Sequence, residues 1–164
     1  MSSILGGKAP LSGKQWILMG LVVLVMAFLG FSRQLLLRNI NEQLSFLYYH
    51  KEVSYVVDSM AFIKQYSYES LVWSKWFLTI TYTILYLLCT VVVLRTLSFN
   101  KDYIKLTVLM FGCIVVLSAI LYGGLSLFGE SLIGYRLARF CMGLVQSPIP
   151  LMVLVPAYML AERK

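Results

Sequence analysis

Four long apolar runs decide what this chain can fold into. Trp16 to Phe31, Trp76 to Leu94, Leu106 to Phe128 and the stretch from Ala138 to Ala161 each approach or exceed the length that crosses a bilayer as a helix. Inside hydrocarbon a lipid-exposed segment has to satisfy its own backbone hydrogen bonds, and only helices and closed barrels do that. Composition points the same way: 60% of the 164 residues are hydrophobic and 13% charged, outside the usual range of soluble domains. The fold class expected is an all-α membrane protein with four transmembrane helices in a single domain over 1–164. The spans are placed at about 15–36, 75–95, 104–127 and 136–161.

The first run has only 16 residues, about 24 Å of helix, whereas the hydrocarbon core is about 30 Å thick. That helix is therefore expected to continue past Arg33. Lys8 and Lys14 before an apolar core also fit a signal peptide, but no small-x-small site closes the run, so the segment is read as a retained span.

Between the first two spans, residues of about 37–74 form an amphipathic helical outer loop, a lid. Leu36, Ile40, Leu44, Leu47 and Tyr48 recur at helical spacing, with Arg38 and Glu42 paired at i,i+4 on another face. Val53, Val56, Val57, Met60 and Ile63 repeat the pattern and predict a second short helix. Tyr48, Tyr49, Tyr55, Tyr66, Tyr68, Trp73 and Trp76 make the region aromatic-rich, as interfacial segments are. Asn100-Lys101-Asp102 predicts a tight turn between spans 2 and 3.

Orientation follows from the density of basic residues. Lys8, Lys14, Arg95, Lys101, Lys105, Arg163 and Lys164 crowd one side in about thirty residues. The other side spreads as many over about fifty-five, together with most of the acids. Both termini are accordingly placed in the cytoplasm. The net charge of +7 fits anchoring to anionic lipid, and no basic run interleaves with aromatics as a nucleic-acid footprint would.

Little points to catalysis. Cys89, Cys113 and Cys141 each fall within a span without paired spacing, and with His50 as the single histidine no zinc-type cluster can be assembled. No metal and no cofactor are expected. His50 with Glu52 and Asp58 is the one place where acid–base chemistry can be argued, and no serine elbow, phosphate loop or intramembrane carboxylate pair accompanies it.

Two polar constellations lie within the spans. Thr79, Tyr82, Thr83, Tyr86 and Thr90 share one face of span 2, which reads either as interhelical hydrogen bonding or as a polar path. In span 4, Arg136, Arg139, Gly143, Gln146 and Pro150 fall on one helical face that should point inward, while Pro148 and Pro150 bend the helix and free the carbonyls of Leu144 and Gln146. Arg139 then serves either as a snorkelling anchor or, with Arg33 and Arg136, as a site for a lipid phosphate or a partner carboxylate. The candidate lipid or partner site is thus Arg33, Arg136, Arg139, Gln146, Thr79, Tyr82, Thr83 and Tyr86. In span 3, Ala119 and Gly123 form a small-xxx-small pair that permits close helix approach.

The stretch "FSRQLLLRNINEQLSFLYY" leaving span 1 and "QSPIPLM" in span 4, set in this four-span layout, resemble the small membrane proteins that accompany exosortases in Bacteroidota, of the exosortase-X-associated type. The resemblance implies a non-catalytic accessory or scaffold subunit of a protein-sorting system, multi-pass in the bacterial inner membrane, with membrane lipids and an exosortase as partners and a homo-oligomer as a further option. Exosortases themselves are larger multi-span enzymes that need a Cys, an Arg and another basic residue at the outer face. Here Cys141 and Arg139 lie on different helix faces, which sets this chain apart from the enzyme. The alternative function is a lipid-binding or lipid-modifying protein with an outer-leaflet basic site.

Overall fold

The first run does continue past Arg33. In the computed structural model, which describes residues 12–50, 53–97, 99–127 and 131–162, helix α1 runs from Gly13 to Tyr49 without interruption. Its 37 residues amount to about 55 Å, far more than a bilayer core requires. Helices α2 (Tyr68–Thr96), α3 (Lys101–Leu127), α4 (Ser131–Val145) and α5 (Ile149–Ala161) follow. A 3-10 segment, Asp58–Gln65, precedes α2, and the described residues contain no strand. Helices α1, α2 and α3 are each long and apolar enough to cross a membrane, and α4 with α5, bent by 56°, makes a fourth crossing if the pair is one span. The chain is thus a helical, multi-pass membrane protein by length and composition. Lys8, Lys51, Glu52, Arg163 and Lys164 lie outside the described residues.

Local chemistry sets the helix ends. Ser12 precedes α1, and its backbone N–H donates to Gln15 Oε1 at 2.8 Å, half of a capping box. His50 closes α1 in the left-handed region (φ 48), a conformation that ends helices and costs a side-chain-bearing residue some strain. Ser67 caps α2, accepting from the Ser70 amide at 3.4 Å. Glu69 in the first turn of α2 and Arg95 in its last match the helix dipole. The α2–α3 hairpin closes through the Phe99 amide on Leu94 O and the Tyr103 amide on Asn100 O, with α3 starting just after Asn100.

The described residues fall into two compact units, one from Met1–Met26 and Leu85–Lys164, the other Ala27–Ile84. In the first, α3 and α4 pack along one another. Thr107, Phe111 and Ser118 are buried on α3, and Gly134, Ala138 and Val145 on α4. These are mostly small residues at i, i+4 and i+7 steps, as close helix approach in lipid requires. Ala119 and Gly123 are instead exposed, and a Cβ built on Gly123 would meet nothing within 4 Å. The buried stripe of α3 runs through Ser118, one position earlier, so the expected small-residue contact faces outward. At the other end of this unit, Leu154 and Tyr158 of α5 pack on Leu94 and Phe99. The Tyr158 ring lies 4.6 Å from that of Tyr103, and its hydroxyl is 3.1 Å from Thr107 Oγ1.

The second unit holds the lid. Ile40 of α1, Val56, Ile63 and Leu71 of α2 form a core, with Leu44, Leu47, Met60 and Leu78 packed against it. Of the stripe read from α1, Ile40 is buried, Leu36, Leu44 and Leu47 are half-buried, and Tyr48 is exposed. The helix expected over Val53–Ile63 is corrected: Val53–Val57 is not helical, and the 3-10 segment begins only at Asp58. Two reasons act together. β-Branched valines at 53, 56 and 57 lose side-chain freedom in a helix. Side chains of α1 also seize the segment, Asn39 Oδ1 accepting from the Val57 amide at 2.9 Å and Gln43 Oε1 from the Ser54 hydroxyl at 2.8 Å. Burial consequently alternates, with Ser54 and Val56 turned in and Val53, Tyr55 and Val57 turned out.

Candidate functional site

The hydroxyls of α2 are spoken for. Thr79, Thr83 and Thr90 donate back to the carbonyls of Lys75, Thr79 and Tyr86, each at 2.8 Å, the usual resort of a threonine in an apolar helix. The tyrosines reach across to α1. In the second unit Tyr82 OH lies 3.0 Å from Ser32 Oγ. In the first, Tyr86 OH donates to Met26 O at 3.0 Å while its ring is buried almost completely. Two hydroxyls of this face thus bond across to α1, and three bond back within α2.

The arginines divide. Arg33, in the second unit, is half-buried with its Nε out of reach of solvent. Arg136 and Arg139, in the first, are both exposed on α4. The inward-pointing face of Arg136, Arg139, Gly143, Gln146 and Pro150 is corrected by the break after Val145. Helical spacing carries no face across Gln146–Pro148, because that segment is not helical, and Gln146 and Pro150 are buried where the arginines are not. Arg136 and Arg139 stay together; Gln146 does not join them.

The break itself is built from local bonds. Pro148 is the residue before α5 and Pro150 sits in its first turn, where a missing N–H costs nothing because that group would have no helical partner. Ser147 Oγ donates to Leu144 O at 2.7 Å and accepts from the Ile149 amide at 3.3 Å, so one hydroxyl serves both helix ends. The Met152 amide on Pro148 O then starts the α5 ladder. Replacing both prolines with alanine should let α4 and α5 join and reduce the 56° bend. Spin labels at Arg139 and Val153, both exposed, should report a longer separation in Pro148→Ala/Pro150→Ala; an unchanged distance would assign the bend to packing around Gln146.

The polar groups that the residue pattern did not single out are Asn39 and Gln43. They are 4% and 2% exposed and clasp the lid segment from one face of α1. A trace was available, since they stand at i,i+4 within the apolar stripe of Ile40, Leu44 and Leu47, where an unpartnered amide would be costly. His50 and Asp58 are exposed, and His50 contributes its backbone geometry to the end of α1. Among the described residues, no group of three His, Cys, Asp or Glu could hold a metal ion.

Comparison of the chain with protein-family models, with curated proteins and with solved structures returns no match.

Proposed function

We propose that this chain is a non-catalytic accessory or scaffold subunit of a bacterial protein-sorting system of the exosortase type. It spans the inner membrane four times, with α4 and α5 as one broken span and both termini in the cytoplasm. The observation that carries this reading is the lid. Asn39 and Gln43 fix an extended segment on α1, and the surface so held displays Tyr55 at 75% exposure, with Val53, Val57, Phe62 and Tyr66 also exposed around it. A rigid aromatic surface of this composition is what protein interfaces favour, because tyrosine gives large contact area for little lost entropy.

A photo-crosslinking residue at Tyr55, in native membranes, should capture a larger multi-span membrane protein with transpeptidase-type catalytic residues. Adducts to lipid alone, or recovery of only the uncrosslinked chain, would contradict the reading. A second substitution site at Leu109, exposed on α3, should not capture the same partner.

A further inference from the structure

The exposed face of α4 carries charge where its surroundings are apolar. Arg136 and Arg139 stand one turn apart and both are exposed; neither forms an ion pair or a hydrogen bond with a described residue. Ile133, Leu137 and Phe140 are exposed beside them at i, i+4 and i+7. The opposite face of α4, through Gly134, Ala138 and Val145, is buried, and α4 packs on α3. The arginines are thus carried on a backed helix rather than a loose one.

Depth matters next. Arg139 lies eight residues into α4, about 12 Å along the axis, so a long side chain can reach the headgroup level while its stem stays in the acyl region. Two guanidiniums that pair with no carboxylate among the described residues call for a counter-anion in an environment that raises the cost of bare charge. Within a lipid leaflet that anion is a phosphate, and planar guanidinium forks match its oxygens.

From this we propose that Arg136 and Arg139 together hold the phosphate of an anionic phospholipid on the outward face of α4, with its acyl chains laid against Leu137 and Phe140. The site selects by net charge. A headgroup carrying its own ammonium brings a positive charge toward the second arginine, whereas one without it leaves attraction only. Gln146 and Arg33 take no part in it. The proposal goes beyond the accessory role and stands or falls separately, since a subunit can dock through its lid with or without a bound lipid.

The test is native mass spectrometry of the full chain purified in detergent and supplied with phosphatidylglycerol or phosphatidylethanolamine. Wild-type protein should retain phosphatidylglycerol at least about tenfold better than phosphatidylethanolamine, a free-energy difference of about 1.4 kcal/mol. Arg136→Gln/Arg139→Gln should lose that preference, and Lys105→Gln, at an exposed residue paired with Asp102, should keep it. Millimolar inorganic phosphate should not displace the lipid, because it lacks the chains that Leu137 and Phe140 would cover. Equal retention of both lipids by wild type, displacement by free phosphate, or unchanged preference in the double variant would overturn the site. Should the double variant fail to fold, a photoactivatable phosphatidylglycerol on wild type decides. Adducts within residues 133–140 support the site, and adducts confined to other segments refute it.

Discussion

Removing both clasp residues, Asn39→Ala with Gln43→Ala, is expected to free the extended lid segment while leaving the spans in place. Each side chain satisfies a group on the lid, the Val57 amide for one and the Ser54 hydroxyl for the other. A buried polar group that loses its partner costs on the order of 1 to 3 kcal/mol, and the lid has little else in that range to offset it. Among the described residues between α1 and α2, only Val56 and Ile63 are buried in the apolar cluster. The double variant should therefore raise the open population by at least about tenfold. The readout is labelling of a cysteine introduced at Val56, 4% exposed, in a background lacking Cys89, Cys113 and Cys141. Its rate should rise by that factor, whereas a cysteine at Tyr55 should label rapidly in both backgrounds. Equal rates at Val56 would mean that packing of Val56 and Ile63 holds the lid without the amides.

Tyr86→Ala is expected to produce the largest loss of stability of any single change in the first unit. The ring is 1% exposed, and large-to-small truncation of a buried aromatic costs about 3 to 5 kcal/mol through lost contacts and the cavity left behind. Its hydroxyl bond to Met26 O is a lesser part, since interhelical hydrogen bonds in membranes average about 0.6 kcal/mol. Tyr86→Phe should thus retain most of the stability that Tyr86→Ala loses, as measured by reversible unfolding in mixed micelles. Similar losses for the two variants would make the hydrogen bond, not the packing, the dominant contact between these helices.

Much of the fold could be read in the residues where length or period leaves no alternative. A run of 16 apolar residues is too short to span, so the continuation of α1 past Arg33 followed from length, whereas its reach to Tyr49 is more than a bilayer requires. Ile40, Leu44 and Leu47 were legible as a stripe packed on one core because every one of them lies on a single uninterrupted helix. The failures share a cause. Val53, Val56, Val57, Met60 and Ile63 imitate helical spacing, but Ser54 and Val57 are held in a non-helical segment by side-chain amides 11 and 18 residues away along the chain. Arg136 and Gln146 imitate a common face across a segment where the helix stops. Periodicity is informative only while one regular element lasts, and neither the clasp nor the Ser147 cap announces itself in a window of a few residues. The hydroxyl face of α2 was legible as a face, but the partners of its two tyrosines, Met26 O and Ser32 Oγ on α1, were not.

The proposed layout rests on α4 and α5 forming one broken span rather than a re-entrant pair, and side-specific labelling of single cysteines at Tyr55, Lys101 and Glu162 tests it most directly. All three positions are exposed, and together they sample the lid, the α2–α3 connection and the end of α5. In intact spheroplasts a membrane-impermeant maleimide should label the cysteine at Tyr55 alone. Those at Lys101 and Glu162 should react only after the membrane is opened. Labelling at Glu162 together with Tyr55 would place both ends of the bent pair on the same side, leaving three spans and moving the C-terminus out of the cytoplasm.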